Sequence, residues 1–455
     1  MNGLNRRRFL AGTMLSGFFG SSMPALGRTA SLPWRNWSGG VVAHPRGRFV
    51  PDDEAHLAAF LGDSSGAIRP VGSGHSFAPL VPTEGHIVVL DHMRGLIDHD
   101  PDKLTATFAA GTTLAETGPE LERIGQAMYN LPDIDRQTLA GATATATHGT
   151  GADFGCLSSY ITGMRLVNAR GEIIDVDAEA DAELFAAARV SMGALGIITR
   201  ITMQNRTPYR LLQRSWVDKV EDLLEQFDDL TAQYRHFELF PYVHSNYAIA
   251  LATEETDQPT HNPPPAPDDD AAFVGLIQQL SAVPPEHRLP ILDEIAAASE
   301  PSERADVSYR ILANVRNVRF NEMEYSVPKE AGAECLREIL RTIIDKRIDV
   351  VFPLEYRYVR GDDTWLSMSS GEEDHAAISI HRAAQYDYRA YFDLIEPIFW
   401  KYGGRPHWGK IHSLGAAELS SLYPRFGDFQ KLRAEMDPKG RLLNDHLRRV
   451  FGVSA

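Results

Sequence analysis

From Trp34 to Gln204, apolar and polar positions alternate in short stretches that predict both strands and helices. Runs rich in β-branched residues predict strands, and apolar positions recurring every three or four residues predict helices. The acidic residues 52–54 suit a helix N-terminus, where carboxylates are favoured. The predicted strands are 67–71, 87–90, 104–108, 164–167, 173–176 and 196–203, and the predicted helices are 52–61, 113–124 and 180–188. This irregular order predicts an α+β fold rather than a βαβ repeat.

The pattern changes near residue 206, and the 455 residues exceed what one compact core usually holds, so we expect domains at 33–205 and 206–455. The second domain has predicted strands at 320–327, 350–359 and 376–382 and predicted helices at 329–346 and 388–402. Two helices returning across such strands predict an antiparallel sheet covered on one face. Residues 254–271 are acidic, rich in proline and aperiodic, which predicts an exposed loop.

The N-terminus has the order of a cleaved export signal. Arg6, Arg7 and Arg8 precede a short apolar run that ends in the small residues around Ala25. That run is too short and too polar to anchor a mature protein in a bilayer. Residues 1–27 therefore predict a twin-arginine signal, with a periplasmic or secreted protein that has no stable membrane span.

Composition and charge exclude several classes of function. The chain is 43% hydrophobic and 23% charged, as soluble globular proteins are. Its net charge of −16 argues against binding to nucleic acid or to anionic lipid, both of which require clustered Lys and Arg. The two cysteines, Cys156 and Cys335, cannot supply a disulfide framework or a CxxC metal site.

A glycine loop with a histidine directly follows the first predicted strand. Its residues are Gly72, Ser73, Gly74, His75 and Ser76. Glycines let the backbone approach a ligand closely and direct N–H groups toward phosphate or ring oxygens. A tight structural turn explains the glycines equally well, and the histidine favours the ligand site.

Residues 139–151 form a run of very small side chains. They offer little apolar area for each ordered residue, so they suit a surface on which a large flat ligand lies. A flexible Ala/Thr linker is the alternative interpretation.

The predicted strand 350–359 separates apolar from charged side chains. With a period of two, one face carries Phe352, Leu354, Tyr356 and Tyr358. Glu355 and Arg357 then stand together on the opposite face. On an exposed sheet they would be a weak ion pair, whereas over a ligand they would be a base and a cation aimed at one substrate.

The segment 405–410 adds His407 and Lys410. The spacing of His407 and His412 raises the possibility of a metal site, but the sequence offers no third ligand. We therefore expect no metal.

The motifs GSGHS, AGATATATHGTG, LEYR and PHWGK occur here in the order found in the aldonolactone oxidoreductases. This chain resembles that family from about residue 34 to 452, most weakly over 205–310, and residues 436–445 resemble its C-terminus. The family comprises D-arabinono-1,4-lactone, L-gulonolactone and alditol oxidases, within the vanillyl-alcohol oxidase type of FAD enzymes.

The resemblance implies an N-terminal FAD-binding domain of PCMH type and a C-terminal cap domain whose antiparallel sheet covers the flavin. The segment 430–455 would return to the flavin domain. His75 would bond covalently through a ring nitrogen to the flavin 8α carbon. The cofactor-binding residues implied with it are Gly72, Ser73, Gly74, Ser76, Gly141, Ala142, Thr143, Thr147, His148, Gly149, Gly151, Ile197 and Asn444.

The implied reaction oxidises a CH–OH group of a sugar-derived lactone or polyol by hydride transfer to flavin N5. Glu355 would be the general base, and Arg357 and Lys410 would stabilise developing negative charge. His381 and His407 would contact the substrate.

The electron acceptor stays open between oxygen and a cytochrome or quinone. Ala142, where a glycine would leave more space, suggests restricted access of oxygen, and Cys156 raises the possibility of a second flavin bond. Two other functions also stay open. One is an enzyme of the same type acting on another alcohol or an amine, and the other is an exported flavin- or carbohydrate-binding protein without turnover.

Overall fold

The computed structural model describes residues 32–261 and 269–454, so the predicted export signal at 1–27 lies outside the described residues. The N-terminal half comprises β1 (Trp34–Arg35), β2 (Val42–Ala43), β3 (Gly47–Phe49), α1 (Glu54–Asp63), β4 (Ile68–Val71), β5 (His86–Val89), β6 (Leu96–Asp100), β7 (Thr105–Ala109), α2 (Leu114–Arg123), α3 (Leu139–Ala144), β8 (Ile161–Val167), β9 (Ile173–Val176), α4 (Ala182–Ala188) and β10 (Ile197–Gln204). Each strand and helix predicted in this half is present.

The N-terminal strands form two main sheets. A parallel three-stranded sheet has the order β3-β5-β4, and an antiparallel five-stranded sheet has the order β6-β7-β10-β8-β9. The glycine loop leaves the end of β4. The run of small residues lies beside β10, because α3 packs against that strand.

The helix α3 was not predicted. The Thr138 side chain caps it by accepting a hydrogen bond from the Gly141 N–H at 3.2 Å. One face of this short helix turns Leu139, Ala142 and Thr143 into the core. The expectation that the small-residue run only supports a ligand was therefore wrong for this face, because a helix buries one side even when its side chains are small.

The C-terminal half comprises β11 (Arg210–Lys219), α5 (Val220–Glu225), α6 (Phe227–Gln233), β12 (His236–Pro241), β13 (Tyr247–Glu255), α7 (Asp269–Ser281), α8 (Arg288–Ala297), β14 (Ser302–Val307), α9 (Ser308–Leu312), β15 (Phe320–Pro328), α10 (Lys329–Asp345), β16 (Glu355–Val359), β17 (His375–Ala383), α11 (Arg389–Lys401) and β18 (Arg405–Pro406). Its strands form one antiparallel eight-stranded sheet of order β14-β11-β13-β12-β16-β17-β15-β18. The predicted strand 350–359 is shorter than expected, and the predicted loop 254–271 loses residues to β13 and α7.

Helices cover one face of this sheet, as the sequence predicts. Gly332 of α10 lies against Tyr356, and Phe227 of α6 packs against both Tyr356 and Phe237. Phe352 does not join that face, since the strand begins only at Glu355. Its ring lies 5.3 Å from that of His381 on the opposite side.

The chain ends in α12 (Ala416–Leu422), α13 (Phe426–Met436) and α14 (Asp445–Phe451). The loop between α13 and α14 packs against the N-terminal half. Buried Arg69 donates hydrogen bonds to the carbonyl of Leu442 in this loop and to the carbonyls of Leu80 and Met192. No helix within the described ranges is both long and apolar enough to cross a membrane.

Candidate active site

A cavity of about 1670 Å³, including its open mouth, lies between the two halves. Its walls come from the glycine loop, α3 and its following segment, the start of β10, and the uncovered face of the large sheet. Of the residues predicted for the site, it is lined by Gly72, Ser73, Gly74, His75, Ser76, Gly141, Thr147, His148, Ile197, Glu355, Arg357, His381, His407 and Lys410.

Three residues predicted to bind the cofactor are packed elsewhere. Ala142 and Thr143 face the core, where the Thr143 hydroxyl donates to the Leu139 carbonyl at 2.9 Å. Gly149 lies so close to the Leu131 carbonyl that a Cβ would meet its oxygen at 2.3 Å. None of the three lines the cavity. Their contact with the cofactor stays a prediction, as does the suggestion that Ala142 restricts the access of oxygen.

Gly151 and Asn444 have structural roles instead of the predicted contact with the cavity. The Gly151 N–H donates to the Tyr358 carbonyl at 3.1 Å, in a backbone conformation (φ +131°) that favours glycine. The Asn444 side chain caps α14 by accepting from the Leu447 N–H and donates to the Pro79 carbonyl at 2.9 Å. A glycine or an asparagine near a ligand site can thus hold the surrounding backbone in place without contacting the ligand.

Cys156 is buried away from the cavity. Its thiol lies 3.1 Å from the Asp362 carboxylate and 3.7 Å from the Ser367 hydroxyl. Burial and the neighbouring carboxylate raise its pKa. A thiol so held is unreactive, and the suggested second flavin bond through Cys156 is not supported.

The glycine loop has the features of an anion cradle. Within residues 32–261 and 269–454, the backbone N–H groups of residues 72–76 donate no hydrogen bond. Gly74 has a φ of +71°, which turns successive N–H groups toward one side. Free donors beside a long cavity fit the pyrophosphate of FAD.

His75 stands at the end of this cradle. Its ring stacks on that of Trp37 at 5.2 Å, and neither ring nitrogen has a hydrogen-bond partner among the described residues. Burial, with the nearby charges of Lys410 and Arg136, lowers its pKa to about 4. The imidazole is therefore neutral at neutral pH, and the residue lines the cavity.

The uncovered sheet face carries a cluster of ions around Arg357. The Glu355 carboxylate forms an ion pair with Arg357, with 2.8 Å between its oxygen and Nη1. Glu238 and Glu324 lie 3.8 and 3.7 Å from the same guanidinium. The predicted pairing of Glu355 with Arg357 is present, with two further acids that the sequence analysis missed.

A second group of charges surrounds Lys410. Its ammonium contacts Glu322 and lies 3.9 Å from Glu324. Burial alone raises the pKa of Glu322, but the charge of Lys410 outweighs it and holds that pKa below its ordinary value. Sequence reasoning missed Glu322 and Glu324, although their alternation within the predicted strand 320–327 was a usable signal.

Backbone groups set the protonation of two cavity histidines. His381 Nδ1 lies 2.9 Å from the Pro353 carbonyl, which can only accept, so Nδ1 carries the hydrogen and Nε2 is bare. His407 is the reverse, because the Gly409 N–H donates to its Nδ1 at 3.0 Å. Burial lowers the pKa of His407 to about 3. His381 is therefore a proton acceptor toward the cavity and His407 a donor.

Two buried groups in the described ranges have the residue types of a metal site. They are His148, Glu324 and His407, and Glu322, Glu355 and His381, each with ligand atoms within 4.8 Å. In both groups the carboxylates already contact Arg357 or Lys410. This is the arrangement of an ion-pair network rather than a metal centre.

Comparison with known proteins identifies the family. Residues 201–450 match the D-arabinono-1,4-lactone oxidase family model, and residues 45–177 match an FAD-binding domain model. An L-gulono-1,4-lactone dehydrogenase of Mycobacterium tuberculosis is 34% identical over 92% of this chain and 99% of its own. The Bos taurus L-gulonolactone oxidase is 27% identical over 92% and 98%.

The alditol oxidase of a Streptomyces species is 26% identical over 91% of this chain and 97% of its own. A solved cholesterol oxidase from Brevibacterium sterolicum shares the fold, with a TM-score of 0.76 at 15% identity over 92% and 96% of the two chains. The predicted architecture, an FAD-binding domain followed by a cap domain with an antiparallel sheet, is confirmed. The chain belongs to the D-arabinono-1,4-lactone oxidase family and is an FAD-dependent oxidoreductase of the aldonolactone and alditol oxidase type.

Proposed function

We propose that this enzyme oxidises a CH–OH group of a neutral, sugar-derived lactone or polyol. The cavity is lined by three carboxylates, from Glu322, Glu324 and Glu355, and the cations Arg357 and Lys410 beside them are already paired with carboxylates. Carboxylates accept hydrogen bonds from substrate hydroxyls, and the paired cations leave no excess positive charge to bind an anionic sugar acid. The names of the relatives, which act on lactones and alditols, agree with such a substrate.

We propose His381 as the acceptor of the hydroxyl proton. His381 lines the cavity, and the Glu322 carboxylate lies 3.6 Å from the same Nε2, where it would stabilise the imidazolium that forms. Glu355, the base expected from the sequence, is already bound to Arg357. This geometry of His381 carries the proposal.

Arg357 and Lys410 supply the positive charge that the reaction needs. Both are fixed by buried carboxylates, so they need no reorganisation as negative charge develops on the substrate oxygen. When bound, FAD supplies the two-electron acceptor for the hydrogen on carbon. His407 Nε2–H and Glu355 remain to orient other hydroxyls of the substrate.

We further propose that His75 holds FAD covalently. Attachment requires an imidazole nitrogen with a free lone pair, and His75 meets this requirement because its pKa is lowered and its ring nitrogens have no partner within the described residues. The free amides of residues 72–76 would hold the pyrophosphate next to it.

We propose a cytochrome or quinone as the electron acceptor, with export by the twin-arginine route to the periplasm or beyond. The 34% identical relative is named a dehydrogenase. The sequence of residues 1–27 supports export, and export of a folded protein suits a chain that first binds its cofactor.

The test is an anaerobic panel. Purified holoenzyme is mixed with sugar lactones, alditols, the corresponding sugar acids, long-chain alcohols and aromatic amines, while flavin absorbance is followed. We expect bleaching by a lactone or polyol and no bleaching by the acids. Bleaching by an amine or a long-chain alcohol alone would overturn the substrate class, and a spectrum unchanged by every compound would favour a binding protein. Reoxidation by oxygen, cytochrome c or a quinone then identifies the acceptor.

A further inference from the structure

A buried contact between His148 and Glu324 joins the two halves of the molecule. His148 comes from the small-residue run and Glu324 from β15, and their side chains are 2% and 1% exposed. His148 Nε2 lies 2.6 Å from the Glu324 carboxylate. Neither residue has a step in the reaction proposed above.

The hydrogen-bond partners of His148 determine how many protons the His148–Glu324 pair carries. Its Nδ1 lies 3.0 Å from the Gly149 carbonyl, which can only accept, so Nδ1 carries a hydrogen. A carboxylate and a bare Nε2 would both be acceptors, and a 2.6 Å contact between two acceptors requires a second hydrogen. The pair therefore carries two protons, one on Nδ1 and a second between Nε2 and the carboxylate.

The surroundings of Glu324 place that proton on His148. The other Glu324 oxygen accepts from the Ser379 hydroxyl at 2.9 Å and faces Arg357 and Lys410. Burial alone raises the pKa of Glu324, whereas the charge of Lys410 lowers it, and the Ser379 hydroxyl and Arg357 stabilise the ionised form. Glu324 is thus a carboxylate, with neutral His407 the other imidazole beside it.

We propose that His148 is held as an imidazolium by Glu324 and is the third cation that balances three ionised carboxylates in the active site. The carboxylates are Glu322, Glu324 and Glu355, and the other cations are Arg357 and Lys410. His148 is a positioning residue: by neutralising Glu324, it leaves Arg357 and Lys410 each with one close carboxylate instead of two to balance. The proposal rests on FAD occupying this cavity.

The consequence is measurable on the bound flavin. A buried uncompensated negative charge disfavours reduction, since reduction adds negative charge to the flavin in a medium of low dielectric constant. His148→Gln leaves Glu324 uncompensated. Glu324→Gln removes the carboxylate and with it the reason for the imidazolium, so the net charge stays the same. The double variant loses both charges.

The experiment measures the reduction potential of bound FAD, against a reference dye, in the wild type, H148Q, E324Q and H148Q/E324Q. We expect a lowered potential in H148Q and restoration toward the wild type in the double variant, with E324Q near the wild type. A double variant as low as H148Q would overturn the proposal, because a merely structural contact is not repaired by losing its second half.

A second measurement needs only E324Q and the wild type. Holoenzyme labelled with ¹⁵N-histidine is examined at about pH 8, above the ordinary histidine pKa of about 6.5. We expect one imidazole with protons on both nitrogens, and we expect that signal to become neutral in E324Q. A wild-type spectrum without a doubly protonated ring would refute the charge assignment even if H148Q failed to fold.

Discussion

Glu238 of β12 lies directly opposite Arg357 of β16 in the antiparallel register, with its carboxylate 3.8 Å from Arg357 Nη1. Glu355 is closer to the same guanidinium, at 2.8 Å. One cation therefore serves two buried acids, and the nearer one takes most of its stabilisation. Burial and the charge of Glu355 raise the pKa of Glu238. Glu238 accordingly keeps its proton where Glu355 is ionised, beside the Thr150 hydroxyl.

We expect the stability of the protein to fall with rising pH because of Glu238. Between the unfolded and the raised folded pKa, the folded state binds the proton that the unfolded state has released. The contribution of Glu238 to the free energy of unfolding is complete below this window and decreases as the pH rises through it. Melting temperatures from about pH 5 to about pH 9 should decline less in Glu238→Gln than in the wild type. Parallel curves would contradict the raised pKa.

We expect the flavin to remain with the denatured wild-type chain. Acid-precipitated, washed protein should stay yellow and fluoresce in a gel, because the neutral His75 imidazole can form the bond to the flavin. His75→Ala should release FAD on denaturation while still binding it when folded, through the free amides of residues 72–76. A colourless wild-type pellet would rule out the tether and leave FAD binding intact.

Arg357→Met and Lys410→Met should each lower kcat/KM by roughly 100-fold or more, since each removes a fixed charge from the developing oxyanion. The absorbance spectrum of the flavin should remain nearly that of the wild type. Arg214→Met is the matched control, because Arg214 forms exposed ion pairs on the outer strands of the same sheet. If either cavity variant kept the rate of this control, its assigned role would be wrong.

His381→Gln and Glu355→Gln distinguish the two candidate bases. We expect the first to lower kcat by about 10²- to 10⁴-fold and to make the remaining rate rise with hydroxide concentration. Glu355→Gln keeps an acceptor for Arg357 and should mainly raise KM. The reverse result, a large loss of kcat in the Glu355 variant alone, would restore Glu355 as the base.

Asn444→Ala should destabilise the fold by about 1–3 kcal/mol without changing FAD affinity in the folded enzyme, since it removes a helix cap and a donor to the Pro79 and Pro82 carbonyls. Asn444→Ser keeps a side-chain oxygen that can cap the helix and places no acceptor against the two carbonyls, so it should cost less. Chemical denaturation measures the first effect and flavin titration the second. Loss of FAD affinity in both folded variants would return Asn444 to the cofactor site.

The cavity residues show which features can be predicted from neighbouring residues in the sequence and which cannot. The loop at 72–76 and the charged face at Glu355 and Arg357 were placed correctly, because a turn and a two-residue period are properties of neighbouring residues. Gly149, Gly151 and Ala142, expected at the cofactor, do not line the cavity in the structure. Small side chains serve equally for ligand contact and for close packing of backbone, and only the neighbours in space decide between the two.

The sequence by itself determined many of the strands and helices, the glycine loop beside His75 and the family. Only the tertiary structure decided the chemistry of the sheet face, where Glu238, Glu322, Glu324 and Glu355 converge from three strands. Their pKa values, and the tautomers of His381 and His407, depend on burial and on backbone groups brought near by folding. Charges interact through space, and strand pairing over long sequence separations sets those distances.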